Sequence, residues 1–259
     1  MTLLAVILLA VLQGLTEFLP VSSSGHLALG GMLMRVPGGD ITFEVVVHLG
    51  TLVAVLAVYA RDLMELLRGV MKRSRDSLKL AGLLAAGSVP AALAGMLLSD
   101  TVESLFDDPL LVSLMLIVTG TLLFATKYAG KGKKESPSLF GAVMIGIAQA
   151  LAILPGISRS GATISTGLFS GIRRDRAARF SFLLSIPAIA GAAVLKMGDL
   201  QGCGIPASYL LTGFLVAAVT GYIALKLLLG FLRRGSFHVF SWYCWALGLA
   251  GVIITLKAG

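Results

Sequence analysis

Apolar runs of roughly 17–25 residues recur along the whole chain, each long enough to cross about 30 Å of hydrocarbon at about 1.5 Å per residue. Lipid satisfies no backbone N–H or C=O, so such runs must fold as helices. Composition agrees. Hydrophobic residues make up 57% of the chain and charged residues 13%, against about 25% charged in soluble domains. We read an all-α polytopic membrane protein, one integral domain over 1–259. The net charge of +8 would suggest nucleic acid in a soluble chain. Here the bases cluster in short loops, so they report topology and no nucleic-acid partner is expected. Cys203 and Cys244 lack metal spacing. The first run lacks a basic leader and a small-residue cleavage site, so no cleavable signal is expected.

Two runs are cut short by proline. Segment 3–19 stops at Pro20, and a Ser-rich turn leads into a short segment, 25–35. Segment 139–154 stops at Pro155, and a second turn leads into 161–171. These arms are short for a span, so each pair reads as a re-entrant hairpin buried in protein. The alternative is two short full spans apiece. Full spans are expected at 43–60, 81–98, 109–126, 180–196, 208–230 and 237–256.

Charge sets the sides. The loop 61–80 carries Arg61, Arg68, Lys72, Arg73, Arg75 and Lys79; Lys127, Lys131, Lys133 and Lys134 follow the third span; Arg173, Arg174, Arg176 and Arg179 follow the second hairpin; Arg233 and Arg234 precede the last span. All should be cytoplasmic. A loop with Asp100, Glu103, Asp107 and Asp108 should be external. The second hairpin then enters from the cytoplasm, the first from outside, and both termini are external. Residues 1–130 and 137–259 form two repeats of opposite orientation, each a hairpin plus three spans. At an offset of 136, Gln13 matches Gln149, Leu15 Leu151, Ser22 Ser158, Ser24 Ser160 and Gly25 Gly161. Inverted repeats place their site near the midplane, with half-helix N-termini aimed at anions.

The turns hold the chemistry. Gln13 and Glu17 are i, i+4 and share a helix face. Ser22, Ser23, Ser24 and Gly25 precede a helix start, where free amides and the dipole seat an anion; Ser24 is placed to cap it. His26 lies in the first turn beyond. Arg159, between Ser158 and Ser160 in an apolar stretch, needs an anionic partner: a phosphate, or Glu17 or Glu44 across the repeats. Gly161 allows close approach, and Thr163 adds a hydroxyl. Glu44 and His48, also i, i+4, are candidates to line the entrance or to hold a cation with Glu17, and equally for a structural role.

Glu17–His26 and Pro155–Thr163 resemble the two signatures of the bacterial undecaprenyl pyrophosphate phosphatases, the bacitracin-resistance proteins. Phe43-Glu44-Val45, His48-Leu49-Gly50 and Arg179–Pro187 extend the resemblance over essentially the whole chain. It implies hydrolysis of undecaprenyl diphosphate to the monophosphate, recycling the carrier for peptidoglycan synthesis and conferring bacitracin resistance. It also implies a polyprenyl diphosphate lipid as substrate, location in the bacterial inner membrane and a site open to the periplasm. The expected machinery is Glu17, Ser23, His26 and Arg159, with Ser22, Ser24, Gly25, Ser158, Ser160, Gly161 and Thr163 on the phosphates. A divalent cation, Mg²⁺ or Ca²⁺, is expected on Glu17, with Gln13 and Glu44 as further candidates. The family accepts Glu or Gln at position 13, and Gln leaves Glu17 as the motif's one carboxylate. Ser23, His26 and water remain open as nucleophile, and so does a homodimer. The rival reading is a transporter or flippase of a polyprenyl phosphate built on the same repeat.

Overall fold

The computed structural model describes residues 1–33, 41–106, 108–196 and 204–258. Eleven α-helices and two single 3-10 turns carry the described chain, with no named strand among these residues. The helices are α1 (Leu3–Phe18), α2 (Ser23–Leu33), α3 (Ile41–Val58), α4 (Ala60–Met71), α5 (Arg75–Leu105) and α6 (Pro109–Ala125). They continue with α7 (Leu139–Leu151), α8 (Arg159–Phe169), α9 (Arg174–Lys196), α10 (Ala207–Arg234) and α11 (Phe240–Ala258). Five of them, α5, α6, α9, α10 and α11, are long and apolar enough to cross a membrane; α3 and α4 make a sixth candidate, bent by 72°. The protein is a multi-pass helical membrane protein.

The hairpin arms are short for a physical reason. α1 has 16 residues and α7 has 13, about 24 Å and 20 Å of helix at 1.5 Å per residue. Leu19, before Pro20, is extended at φ −60°, ψ 142°, because the proline ring disfavours the helical region for its predecessor. The second hairpin leaves where it enters: the Lys133 and Lys134 amides donate to the Gly171 carbonyl, both at 3.1 Å, and the Arg173 amide donates to Lys134 at 3.0 Å. Both ends of α7–α8 therefore lie on one side, as a re-entrant hairpin requires. Residues 34–40, which follow the first hairpin, lie outside the described residues.

The packing is reciprocal. α1 lies along α10 and α7 along α5; α10 also packs on α3 and α5 on α9; α6 and α11 pack on each other. At the α6–α11 crossing a β-carbon on Gly120 would come within 3.1 Å of the Ser241 carbonyl and 2.6 Å of Trp245. One on Gly248 would come within 2.8 Å of the Ser113 carbonyl and 2.7 Å of Ile117. Ser113, Ile117 and Gly120 each precede Ser241, Trp245 and Gly248 by 128 positions, so the two helices meet through matching residues. Small residues let helix backbones approach in lipid, where hydrophobicity drives no association. The main buried core draws chiefly on α1, α3, α7, α8, α9 and α10, with Leu123 of α6 and Cys244 of α11 joining it and Phe18 edge-on to Phe182 at 5.8 Å. α5 and α11 turn mostly apolar, exposed faces outward.

Two expected loops are helical. The basic segment 61–80 contains α4 and the first turn of α5. The acidic segment after residue 98 continues α5 to Leu105. Only its end is irregular, where the Asp108 carboxylate caps α6 by accepting from the Leu110 and Leu111 amides at 3.0 and 3.1 Å, with Pro109 in the first turn. Charge pattern alone said nothing about whether the backbone there stays helical.

Candidate active site

The two Ser-rich turns have the same internal geometry. In the first, the Ser22 hydroxyl accepts from the Gly25 amide at 3.2 Å and lies 3.1 Å from the Ser24 hydroxyl. In the second, the Ser158 hydroxyl accepts from the Gly161 amide at 3.1 Å and lies 3.2 Å from the Ser160 hydroxyl. Ser22, not Ser24, is thus the cap of α2, because the helix begins two residues earlier than expected. Its backbone takes φ 67°, a left-handed conformation that costs a serine energy and is held by its surroundings. The turns interlock: a β-carbon on Gly25 would meet Gly156 Cα at 3.3 Å, and one on Gly161 would meet Pro20 Cβ at 3.4 Å. α6 and α11 pin them from behind. Thr119 donates to the Gly156 carbonyl at 2.9 Å and accepts from the Ser158 amide at 3.1 Å. The buried Cys244 thiol lies 3.6 Å from the Pro20 carbonyl.

The middle residue of each turn reaches the same carboxylate. Ser23 donates to Glu17 Oε2 at 2.7 Å, and Arg159 Nη2 donates to Glu17 Oε1 at 2.5 Å. Gln13 Nε2 donates to Oε2 at 3.1 Å, and His48 Nε2 stands 3.7 Å from it. Glu17 is 8% exposed and the Arg159 side chain 15%. A buried charge must be paired, and here it is. The pairing is nonetheless incomplete. Arg159 Nη1 and Gln13 Oε1 are buried and have no protein hydrogen-bond partner, one a donor and the other an acceptor. Unsatisfied buried groups are costly, and these two flank the carboxylate.

His26 is engaged at both nitrogens: Nδ1 lies 2.7 Å from the Ser22 carbonyl and Nε2 2.7 Å from the Tyr243 hydroxyl. A carbonyl only accepts, so Nδ1 carries the proton, and in the neutral ring the lone pair sits on Nε2 and accepts from Tyr243. Ser23 and His26 are i, i+3 on α2, on one face. Other expected residues point elsewhere. The Thr163 hydroxyl lies 2.8 Å from the Arg159 carbonyl and 2.5 Å from Ser181, so it braces the turn. Ser160 donates to the Leu19 carbonyl at 3.4 Å. Glu44 enters through its backbone, whose carbonyl accepts from His48 Nδ1 at 2.7 Å.

Among the described residues, no group of three His, Cys, Asp or Glu side chains could hold a metal ion. Hard cations take oxygen donors and keep sites for phosphate. The Glu17 carboxylate with the orphaned Gln13 Oε1 fits such an ion when substrate oxygens complete the set.

At the basic end Arg173 pairs with Glu135 at 2.6 Å and Asp175 at 3.2 Å, and Arg179 with Asp62 at 2.5 Å. Asp175 lies in the first turn of α9, not in a loop, and pairs with Arg173. The hydrogen bond that Arg173 donates to Glu135, then the charge of Asp175, raise the Arg173 pKa above the ordinary arginine value.

Sequence reasoning did not reach Tyr243, Thr119, Ser181 or the buried Cys244. His48 was expected, with Glu44, to line the entrance or to hold a cation with Glu17, and its ring stands 3.7 Å from the Glu17 carboxylate.

Spanning helices around two interlocked half-helix turns, with a buried carboxylate–guanidinium pair between them, define a multi-pass membrane protein with an internal anion-handling site. The chain belongs to the family described as bacitracin resistance protein BacA, whose model matches residues 6–250. It is 44% identical to the undecaprenyl-diphosphatase of Desulforapulum autotrophicum, over 95% of this chain and 96% of that one. It is also 44% identical to that of Moorella thermoacetica, over 94% of each. To that of Methanosphaera stadtmanae it is 36% identical over 98% of each.

Proposed function

We propose that this protein is an undecaprenyl-diphosphate phosphatase, releasing phosphate and undecaprenyl monophosphate at the outer face of the cytoplasmic membrane. The observation that carries the reading is the Glu17–Arg159 pair with two orphaned atoms beside it, Arg159 Nη1 and Gln13 Oε1. The diphosphate competes with Glu17 for the guanidinium, whose planar fork suits phosphate. Once Arg159 turns to the phosphate, Glu17 keeps its hydrogen bond from Ser23 and becomes free to accept that proton.

Ser23 Oγ then attacks the terminal phosphorus. Its proton passes to Glu17, the P–O bond to the lipid monophosphate breaks, and a phosphoserine remains. Water hydrolyses the phosphoserine, its proton going to His26 Nε2 as the Tyr243 hydroxyl gives up its hydrogen bond there, while Glu17 returns its proton to the departing Ser23 oxygen. The leaving group is itself a phosphate, so charge stabilisation matters more than acid catalysis. Arg159 and the amides opening α2 and α8 supply it. A divalent cation, Mg²⁺ or Ca²⁺, would be held by Glu17 and Gln13 Oε1 and would neutralise phosphate charge. The 2.7 Å bond from Ser23 to Glu17 supports Ser23 over His26 as nucleophile, since Ser23 already has a carboxylate in place to take its proton.

The repeats 1–130 and 137–259, the periplasmic opening and the external termini belong to the same proposal, supported by the re-entrant second hairpin and the reciprocal packing. Family membership disfavours the transporter reading. Purified protein in detergent should release phosphate from undecaprenyl diphosphate, with Ser23→Ala inactive and an acid-stable phosphoenzyme trapped by rapid quenching. No release from the wild type would sink the enzyme reading. An acid-labile, alkali-stable adduct would transfer the attack to His26, and no adduct would transfer it to water.

A further inference from the structure

After Val58 the chain turns through 72° into α4, a helix with no buried residue. Leu63 packs against the core, while Met64, Leu67 and Met71 are 49%, 59% and 84% exposed. Leu63, Leu66, Leu67, Val70 and Met71 form one apolar stripe, with Arg61, Asp62, Glu65 and Arg68 off it. A helix of this pattern lies in the plane of a membrane interface. The Asp62–Arg179 pair ties it to α9.

Between α4, α5 and α9 runs an apolar groove of about 360 Å³, lined by Leu63, Leu84, Ala85, Leu183, Ile186 and Pro187. Ser88 also borders it, with its hydroxyl turned to the Leu84 carbonyl at 2.8 Å. Pro187 has no N–H, so the Leu183 carbonyl lacks its helical donor. Leu183 is shared with a small niche of about 20 Å³ whose polar side is formed by Glu135, Ser136, Arg176 and Arg179 and whose other walls are Leu80, Pro137 and Phe180. That niche has room for about one water or one phosphate oxygen. Glu135 is divided between Arg173 and Arg176, at 2.6 and 2.7 Å. On the adjoining α4–α5 hairpin six bases, Arg61, Arg68, Lys72, Arg73, Arg75 and Lys79, outnumber three acids, Asp62, Glu65 and Asp76. The surroundings are therefore cationic.

The geometry points to a binding site for an anionic phospholipid at the basic end of the molecule. An acyl chain lies in the groove, the phosphate rests at the niche beside Arg176 and Arg179, and α4 lies along the same leaflet. The site is separate from Glu17 and holds a bilayer lipid rather than the diphosphate substrate.

The test uses the full-length protein in phosphatidylcholine nanodiscs with phosphatidylglycerol carrying a diazirine on its acyl chain. Label should map to residues 84–88 or 183–187 and be displaced by unlabelled phosphatidylglycerol but not by phosphatidylcholine. Ala85→Phe, which fills the groove, should abolish labelling there. Arg176→Gln should weaken competition about fivefold, as expected for one cation near a lipid surface. Label confined to other segments, or equal displacement by phosphatidylcholine, overturns the inference. The wild-type map decides the matter even if a variant does not fold.

Discussion

Replacing Arg159 by Ala separates its catalytic from its structural role. The change removes the 2.5 Å contact to Glu17 Oε1 and leaves a nearly buried carboxylate with Ser23, Gln13 and a His48 nitrogen 3.7 Å away. Breaking a buried pair on one side costs about 3–5 kcal/mol. Two neutral donors remain, so the lower end, about 3 kcal/mol, is expected. At about 2–4 °C per kcal/mol this lowers the melting temperature in detergent by about 6–12 °C. Phosphate release should fall further, by about 10³-fold or more, as when a transition-state arginine is lost from a phosphoryl-transfer site. The double variant Glu17→Gln/Arg159→Ala decides between the roles. With both charges gone, most of the melting temperature should return, and activity should not. Should Arg159→Ala keep activity within about tenfold of wild type, the guanidinium does not meet the phosphate and the proposed chemistry fails. Should the double variant melt as low as Arg159→Ala, the unpaired carboxylate is not the source of the instability. Arg159→Lys should keep stability better than activity, because one ammonium lacks the two-pronged fork that spans Glu17 and phosphate.

Chelation by EDTA should abolish phosphate release, with Mg²⁺ or Ca²⁺ restoring it. Gln13→Ala should then raise the cation concentration for half-activation, Gln13→Glu should lower it, and equal titrations in all three forms would remove Gln13 from the cation's donors. Tyr243→Phe removes the hydrogen bond to His26 Nε2, a net loss of about 1 kcal/mol. Activity should drop about fivefold while the melting temperature changes little, and unchanged activity would exclude His26 from the rate-limiting step. Gly156→Ala should destabilise by more than 1–3 kcal/mol of overpacking, because φ is +94° and the new β-carbon would meet Met115 at 2.7 Å. A wild-type melting temperature for that variant would contradict the interlocked turns.

The hairpins were legible because proline and serine interrupt apolar runs at matching places, and few backbones satisfy that pattern in lipid. The Arg159–Glu17 pair was legible for a related reason: an arginine at that depth must find an anion, and few anions were available. Tyr243 was not. It lies 217 positions from His26, within Phe240-Ser241-Trp242-Tyr243, and an aromatic run on an outward helix reads as an interfacial belt. Only tertiary packing reveals that one of these rings stacks on His26, with planes 5° apart. Thr119 was hidden likewise, as a lone hydroxyl in an apolar helix that normally bonds its own backbone. The stripe of α4 was present in the sequence at 63, 66, 67, 70 and 71, but the charges between those positions masked it.

The matching turns raise the question of why one molecule contains one site rather than two. The position 136 residues after Glu17 is Ile153, and the partner of Ser23 is Arg159. Had both repeats kept a carboxylate, two buried anions would lie close together with one guanidinium between them, and one would have to be neutralised. Had both kept an arginine, the hydroxyl that Glu17 holds at 2.7 Å would be absent. The two turns have diverged at the positions where their equivalents meet, and have stayed alike in the hydroxyls and glycines that build the backbone. Gln149, which matches Gln13, is 3% exposed, and both its amide atoms lack protein hydrogen-bond partners. A glutamine buried without a carboxylate beside it organises nothing, whereas Gln13 donates to Glu17 at 3.1 Å. The symmetry of the fold sets the position of the site, and its failure at Glu17, Ser23, Ile153 and Arg159 gives the site its chemistry.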